Sequence, residues 1–237
     1  MNYAYLRIAA LGLGVGLSLA GCGLVSSDVT NFDLTLPEKK FTIDSGRWQV
    51  DQTKANAALS LSCSSDSTCN SAVLLACPMG CSGICNTTKS TCDLSLDVSL
   101  SQPVDLVMEK PELKSINDEP VIKVTIDSVT YEVTSNSLNV ATPEIKVFVA
   151  PMSVVKWTDP QATLIGTIPP IAAGEVTSSP QMLMFTPTGK AELVKIMSTF
   201  KTPFNVLVGS SLVVTSGQQM PMGKLESVVN IKGHAGL

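Results

Sequence analysis

From Phe32 onward the chain is written mostly in period two. Phe32, Leu34 and Leu36 alternate with polar residues, and Phe41 and Ile43 resume after Pro37, which predicts two short strands. Leu94, Leu96, Val98 and Leu100 alternate strictly through DLSLDVSL, the mark of a half-buried strand. These two regions flank a cysteine-rich stretch and are expected to be parts of one sheet system. Farther on, Ile122, Val124 and Ile126 share one face while Val129, Tyr131 and Val133 share another. The phase slips at Asp127-Ser128, as a bulge or a bend would make it slip. Shorter runs follow at Ile145, Val147 and Val149, at 163–168, at Phe204, Val206 and Val208, at 212–214, and at Leu225, Ser227, Val229 and Ile231. Proline and glycine punctuate the intervals in the manner of an all-β sandwich.

One segment departs from this pattern. TGKAELVKIMSTF, residues 188–200, puts Leu193, Ile196, Met197 and Phe200 on one helical face, with Thr188 as a cap and Pro203 beyond the end. Its polar face carries only Lys190, Lys195 and Glu192, without the basic enrichment of a membrane-surface helix, so packing on the core is expected. The stretch 153–181 is rich in Pro, Thr, Ser and Gly and is expected to form long surface loops beside Trp157. Loops of this kind are where binding residues concentrate, and Trp157 is the candidate binding-loop residue.

The beginning of the chain follows another grammar. MNYAYLRIAALGLGVGLSLAG holds one basic side chain, Arg7, and then an uncharged run, which is the form of a secretion signal. A membrane-spanning helix needs about 20 apolar residues, and this run is shorter, rich in glycine and followed by polar SSDVTN. It ends in Leu19-Ala20-Gly21-Cys22, which resembles the lipobox of bacterial lipoproteins. The resemblance implies cleavage before Cys22, a diacylglyceryl group on its sulfur through a thioether, and a further acyl chain on the freed amine. One chain holds a protein only marginally, each methylene contributing about 0.8 kcal/mol, whereas two or three hold it firmly. Gly23 stands where, by similarity, Asp would favour the inner membrane, so the resemblance implies the outer membrane. Residues 22–30 are then a lipidated tether of nine residues, and a chain of that length spans at most about 30 Å.

Export leads to an oxidising compartment, where disulfides form and persist. With Cys22 assigned to lipid, Cys63, Cys69, Cys77, Cys81, Cys85 and Cys92 remain, spaced C-x5-C-x7-C-x3-C-x3-C-x6-C. Three disulfides is the plain reading, and the spacing does not choose among the pairings. Zinc sites favour close pairs such as C-x2-C, often with histidine, and this segment has no histidine. A redox motif needs C-x-x-C, whereas Cys77-Pro78-Met79-Gly80-Cys81 has one residue too many. Cys77, Cys81 and Cys85 come near an iron–sulfur binder's C-x3-C-x2-C without matching it. Pro78, Gly80 and Gly83 make the middle turn tightly, and 70–76 is expected to form one helical turn. Cross-links worth about 2–4 kcal/mol each would hold a shape that such a small segment cannot hold by burial.

Composition narrows the partners. Without residues 1–21 the chain carries 15 Lys+Arg against 20 Asp+Glu, a formal charge of −5, and no basic cluster. Nucleic acid and electrostatic attraction to anionic lipid are poorly supported. Tyr131, Trp48 and Trp157 are few aromatic faces for a polysaccharide platform.

Catalytic chemistry finds little to work with. Acyl transfer by Ser or Cys needs a base, most often His, and the only histidine, His234, lies in the terminal KGHAGL, where a flexible tail is expected. No G-x-S-x-G elbow, P-loop, dinucleotide fingerprint or calcium loop is present, and no cofactor is implied. The reading is therefore an all-β fold, an immunoglobulin-like β-sandwich with one short amphipathic helix and a disulfide-rich insert. Residues 1–21 are a signal peptide, 22–30 a tether, and 31–237 one β domain containing the six-cysteine insert at 63–92. Its expected role is non-enzymatic: an envelope lipoprotein, held at the membrane by its anchor, that binds or scaffolds another envelope protein or a wall component. An apolar-ligand carrier, or a metal-dependent or hydrolytic enzyme, is the alternative.

Overall fold

The computed structural model describes residues 31–115 and 122–236. The signal, Cys22 and the tether lie outside these residues. Two antiparallel sheets carry the fold. The first is built on β11 (Lys224–Gly236) and β5 (Lys123–Asn136), paired along their whole length. On the other side of β11 lie β1 (Asn31–Asp33) and β2 (Lys39–Asp44), one strand in two pieces with Pro37 at the break. A two-residue strand, β8 (Gln181–Met182), adds to β5. The second sheet runs in the order β3 (Cys81–Asn86), β4 (Thr91–Val104), β10 (Phe204–Val214), β6 (Ile145–Pro151), β7 (Thr163–Ile168) and β9 (Met184–Phe185).

Period two does its expected work inside these strands. Phe41 and Ile43 of β2, Val133 and Ile126 of β5, Val147 and Val149 of β6, and Val206 and Val208 of β10 all enter one core shared by the two sheets. The slip at Asp127-Ser128 is a bulge: Lys232 pairs with Ser128 and Gly233 with Ile126, which leaves Asp127 as the extra residue. The runs at Phe204 and at 212–214 are one strand, β10. Its polar middle is satisfied where it stands, since the Ser210 hydroxyl donates to the Glu144 carbonyl at 2.9 Å and Ser211 shares a hydrogen bond with Ser95 at 2.7 Å.

Three expectations are corrected. β2 and β4 do not belong to one sheet: β2 pairs with β11 and β4 with β3 and β10. Alternation reports which face of a strand is buried and carries no information about its neighbour, and the insert between them is long enough to carry the chain across. The helix over 188–200 is present as α4 (Gly189–Ser198), with Leu193, Met197 and Phe200 buried, but it is not alone. α1 (Gln52–Leu59), α2 (Asp66–Ala76) and the single turn α3 (Leu106–Glu109) precede it. Thus 70–76 is the second half of a three-turn helix. The buried faces of α1 and α2 are short and rich in small residues, Ala55 and Ala58 with Leu59 on one and Cys69, Val73 and Ala76 on the other, which leaves a faint apolar period. His234, finally, sits on β11 opposite Thr125, and its ring lies 3.2 Å from the Asp127 carboxylate, so it is part of a strand.

The sheets have two poles. At one, Asn31 meets Gly236 and Lys123 meets Gly236 from the other side; this is where the described chain begins. At the other, Asp44 and Lys224 pair, Trp48 turns into the core, and the insert projects. β11 runs from one pole to the other, about 40 Å at the usual rise of about 3.3 Å per residue. Among the described residues no helix is long and apolar enough to cross a membrane.

Candidate functional site

The insert is built as a helical hairpin laid on a sheet extension. Asp51 caps α1 by accepting the Lys54 amide at 3.1 Å, and the Asp51 amide donates to the Ala76 carbonyl, which ties the start of α1 to the end of α2. α2 lies directly on β3: a Cβ at Gly83 would stand 2.2 Å from the Cys69 carbonyl carbon, so only glycine permits the contact. The free edge of β3 is closed by the same helix, because Asn70 Oδ1 accepts the Gly83 amide at 3.3 Å and Asp66 Oδ1 the Cys85 amide at 2.8 Å.

All six cysteines of the insert are paired. Cys63 joins Cys85, Cys69 joins Cys92 and Cys77 joins Cys81. The first two bridges stitch α2 and the segment before it to the β3–β4 hairpin, and the third closes a five-residue loop, CPMGC. The sulfurs of Cys63, Cys69 and Cys85 lie within 4.8 Å of one another, yet each is bound in a disulfide, and a disulfide sulfur is not the thiolate a metal requires.

Trp157 is half-buried. Its indole covers Gly209, where a Cβ would come within 2.1 Å of the ring, and it packs against Phe148 with centroids 5.9 Å apart. Lys146 Nζ stands 5.7 Å from the ring centre. The Trp157 N–H donates to Asp97 Oδ1 at 3.0 Å. Together with Val154, Leu207 and Leu164 it forms a small second core on the outer face of β6 and β10. Asn205 fixes this arrangement by donating to the Met152 and Val154 carbonyls at 2.9 and 2.8 Å. The part of the 153–181 stretch around Trp157 is therefore docked on the sheet and 163–168 is β7, while most of 169–181 is exposed loop as expected.

Where insert, sheets and docked loop converge, a pocket of ≈ 350 Å³ opens. Its inner wall is apolar: Ile43, Trp48, Val98 and Leu100, with Met79 of the CPMGC loop at the side. Trp48 is fixed there because its N–H donates to the Asp97 carbonyl at 2.9 Å, at the edge of β4 beyond the end of β3. Four charged groups line the pocket, Asp44, Arg47, Asp97 and Lys156. The Asp44 carboxyl is held below its ordinary 3.8 by Lys224, 2.9 Å away, and by the Gly46 amide it accepts. Asp97 Oδ1 accepts the Trp157 N–H. The side chains of Arg47 and Lys156 make no hydrogen bond or salt bridge among the described residues.

The pattern of apolar positions singles out neither Arg47 nor Lys156. One signal was available, since Arg47 is the only arginine after Arg7 and directly precedes one of two tryptophans. His234 and Asp127 sit outside this pocket, exposed on the first sheet, and among the described residues no nucleophile joins their hydrogen bond. Comparison with protein-family models finds no match for the chain, and neither does comparison with curated proteins.

Proposed function

We propose that this protein is a non-enzymatic lipoprotein of the bacterial envelope, anchored through Cys22, that binds or scaffolds another envelope component at the pole opposite its anchor. The observation that carries the reading is the separation of the two poles. The described chain begins at Asn31 on one, and the disulfide-braced insert with its pocket occupies the other, about 40 Å along β11. A tether that reaches at most about 30 Å keeps the first pole at the leaflet. The insert then faces away from the membrane, where a wall component or a second envelope protein is within reach. Three disulfides in thirty residues suit an oxidising compartment and favour the exported reading of the first twenty-one residues. Gly23 favours the outer membrane as the site of anchoring.

The two antiparallel sheets over one core support an immunoglobulin-like sandwich as the framework, with the helical insert added at one end. A carrier of lipid-sized cargo finds less support. The apolar slot between the sheets, lined by Leu138, Ile145 and Leu212 among others, encloses ≈ 20 Å³, space for about one water.

Crosslinking in intact cells with the native anchor tests the proposal. One dominant envelope partner is expected, captured from positions on the insert and lost when Cys22→Ser removes the anchor. Capture that is indifferent to Cys22→Ser, or that comes only from the Asn31 pole, would overturn it.

A further inference from the structure

We infer that the pocket between the insert and the sheets is a binding site for a small organic anion with an apolar body, such as an aryl or alkyl sulfonate or carboxylate. The apolar wall of Ile43, Trp48, Val98 and Leu100 offers the body a surface that exchanges water for carbon, and Met79 adds a polarizable thioether at its edge. Arg47 and Lys156 offer the anion two cationic head groups that make no side-chain hydrogen bond or salt bridge among the described residues, Arg47 acting on Asp44 only through space. Of the two acids nearby, Asp44 is paired with Lys224 and accepts the Gly46 amide, and Asp97 Oδ1 is turned toward the Trp157 N–H. A cationic rim over a fixed apolar wall recognises an anion and its body together, as neither does alone.

Other concavities lack this combination. In the groove beside α4, Glu192 and Lys195 face each other at 3.6 Å, and in the pocket beside Tyr131 the one charged group, Glu175, accepts the Ala172 amide at 2.8 Å. The concavity at Val140, Leu212 and Gln218 has no charged lining residue. The anion site is also assembled from five regions, the end of β2, the turn after it, the CPMGC loop, β4 and the docked loop. The disulfides and the two tryptophans that fix those regions therefore preform it.

This inference does not rest on lipidation, so its test uses the full chain carrying Cys22→Ser, purified oxidised and without detergent. The probe is 8-anilinonaphthalene-1-sulfonate, read by its fluorescence and by energy transfer from tryptophan. Its counterpart is N-phenyl-1-naphthylamine, the same aromatic body without the sulfonate. Saturable binding of one equivalent of the anionic probe is expected, weakened about tenfold by Arg47→Gln with Lys156→Gln, two rim contacts each in the range of an exposed charge pair. The neutral probe is expected to bind more weakly and to ignore that change. Met79→Glu, at an exposed position, sets a carboxylate at the edge of the pocket and is expected to abolish binding of the anionic probe with the near-ultraviolet dichroism unchanged. Absence of saturable binding, or an affinity that neither variant alters, overturns the inference whatever the outcome of the crosslinking experiment.

Discussion

Trp48 and Trp157 donate their indole N–H groups to the same residue: Trp48 to the main-chain carbonyl of Asp97 at 2.9 Å, Trp157 to its carboxylate at 3.0 Å. One tryptophan belongs to the core between the sheets and the other to the small core outside them. Asp97 is thereby the pin that joins the turn after β2 to the docked loop, and the pocket lies between the two.

Asp97→Ala removes the acceptor for Trp157 and leaves the carbonyl for Trp48. A loss of about 1–2 kcal/mol is expected, in the range of a hydrogen bond to a charged group discounted for partial exposure. Asp97→Asn, which keeps an acceptor, should recover most of it. Urea denaturation of the three proteins checks the order, and a red-shifted emission from Asp97→Ala would locate the change at Trp157.

Gly209→Ala sets a methyl group 2.1 Å from the Trp157 ring. The ring has to move, at a cost of about 1–3 kcal/mol for overpacking. Near-ultraviolet dichroism should lose the contribution of an ordered tryptophan while the far-ultraviolet spectrum stays that of the parent. An unchanged near-ultraviolet spectrum would mean that Trp157 is not held on Gly209.

The three disulfides are unequal. Cys63–Cys85 and Cys69–Cys92 close loops with sequence separations of 22 and 23, and Cys77–Cys81 one of 4. Loop-closure entropy then gives about 3.4 kcal/mol for either long bridge and about 1.9 kcal/mol for the short one. The pair change Cys69→Ala with Cys92→Ala is expected to lower the urea midpoint more than Cys77→Ala with Cys81→Ala. The reverse order would show that strain or unfolded-state structure outweighs loop length here.

Acid should weaken the pole that carries the pocket. Asp44 and Asp51 have carboxyls held below 3.8, Asp44 by Lys224 and the Gly46 amide, Asp51 by the Lys54 amide at the start of α1. Because the folded-state values lie below the unfolded ones, the stability they contribute is present above pH 3.8 and is lost as pH falls through the folded-state values. Asp44→Asn should flatten the acid limb of a plot of melting temperature against pH, and a limb of unchanged depth would refute the assignment. At the alkaline end the sign reverses: burial, aided by Glu175, raises the Tyr131 hydroxyl above 10.0, so its contribution is present below pH 10 and fades above it.

Much of the sheet framework was legible because β-strand faces write themselves into the sequence. Phe41, Ile43, Leu94, Leu96, Val147 and Val206 are buried where alternation places them, and the phase slip at Asp127-Ser128 is the bulge. Strand partners were not legible, since β2 and β4 look alike in period yet lie in different sheets. Nor were α1 and α2, whose buried faces, Ala55, Ala58 and Leu59 on one and Cys69, Val73 and Ala76 on the other, leave a faint apolar period; α2 is also tied by the Cys69–Cys92 bridge and packed closely on Gly83. The pocket escaped for a different reason. Its residues come from positions as far apart as Ile43 and Lys156, and only the folded chain brings Arg47, Trp48 and Lys156 to one pocket.

Intact-mass spectrometry of the protein extracted from its native membrane, after alkylation under denaturing and non-reducing conditions, reads the anchor and the disulfides together. The expected species is a chain that begins at Cys22, heavier by a diacylglyceryl group and a further acyl chain, with no alkylated cysteine. A chain without lipid at Cys22, or one that takes up alkylating agent at the six cysteines of the insert, would contradict that expectation.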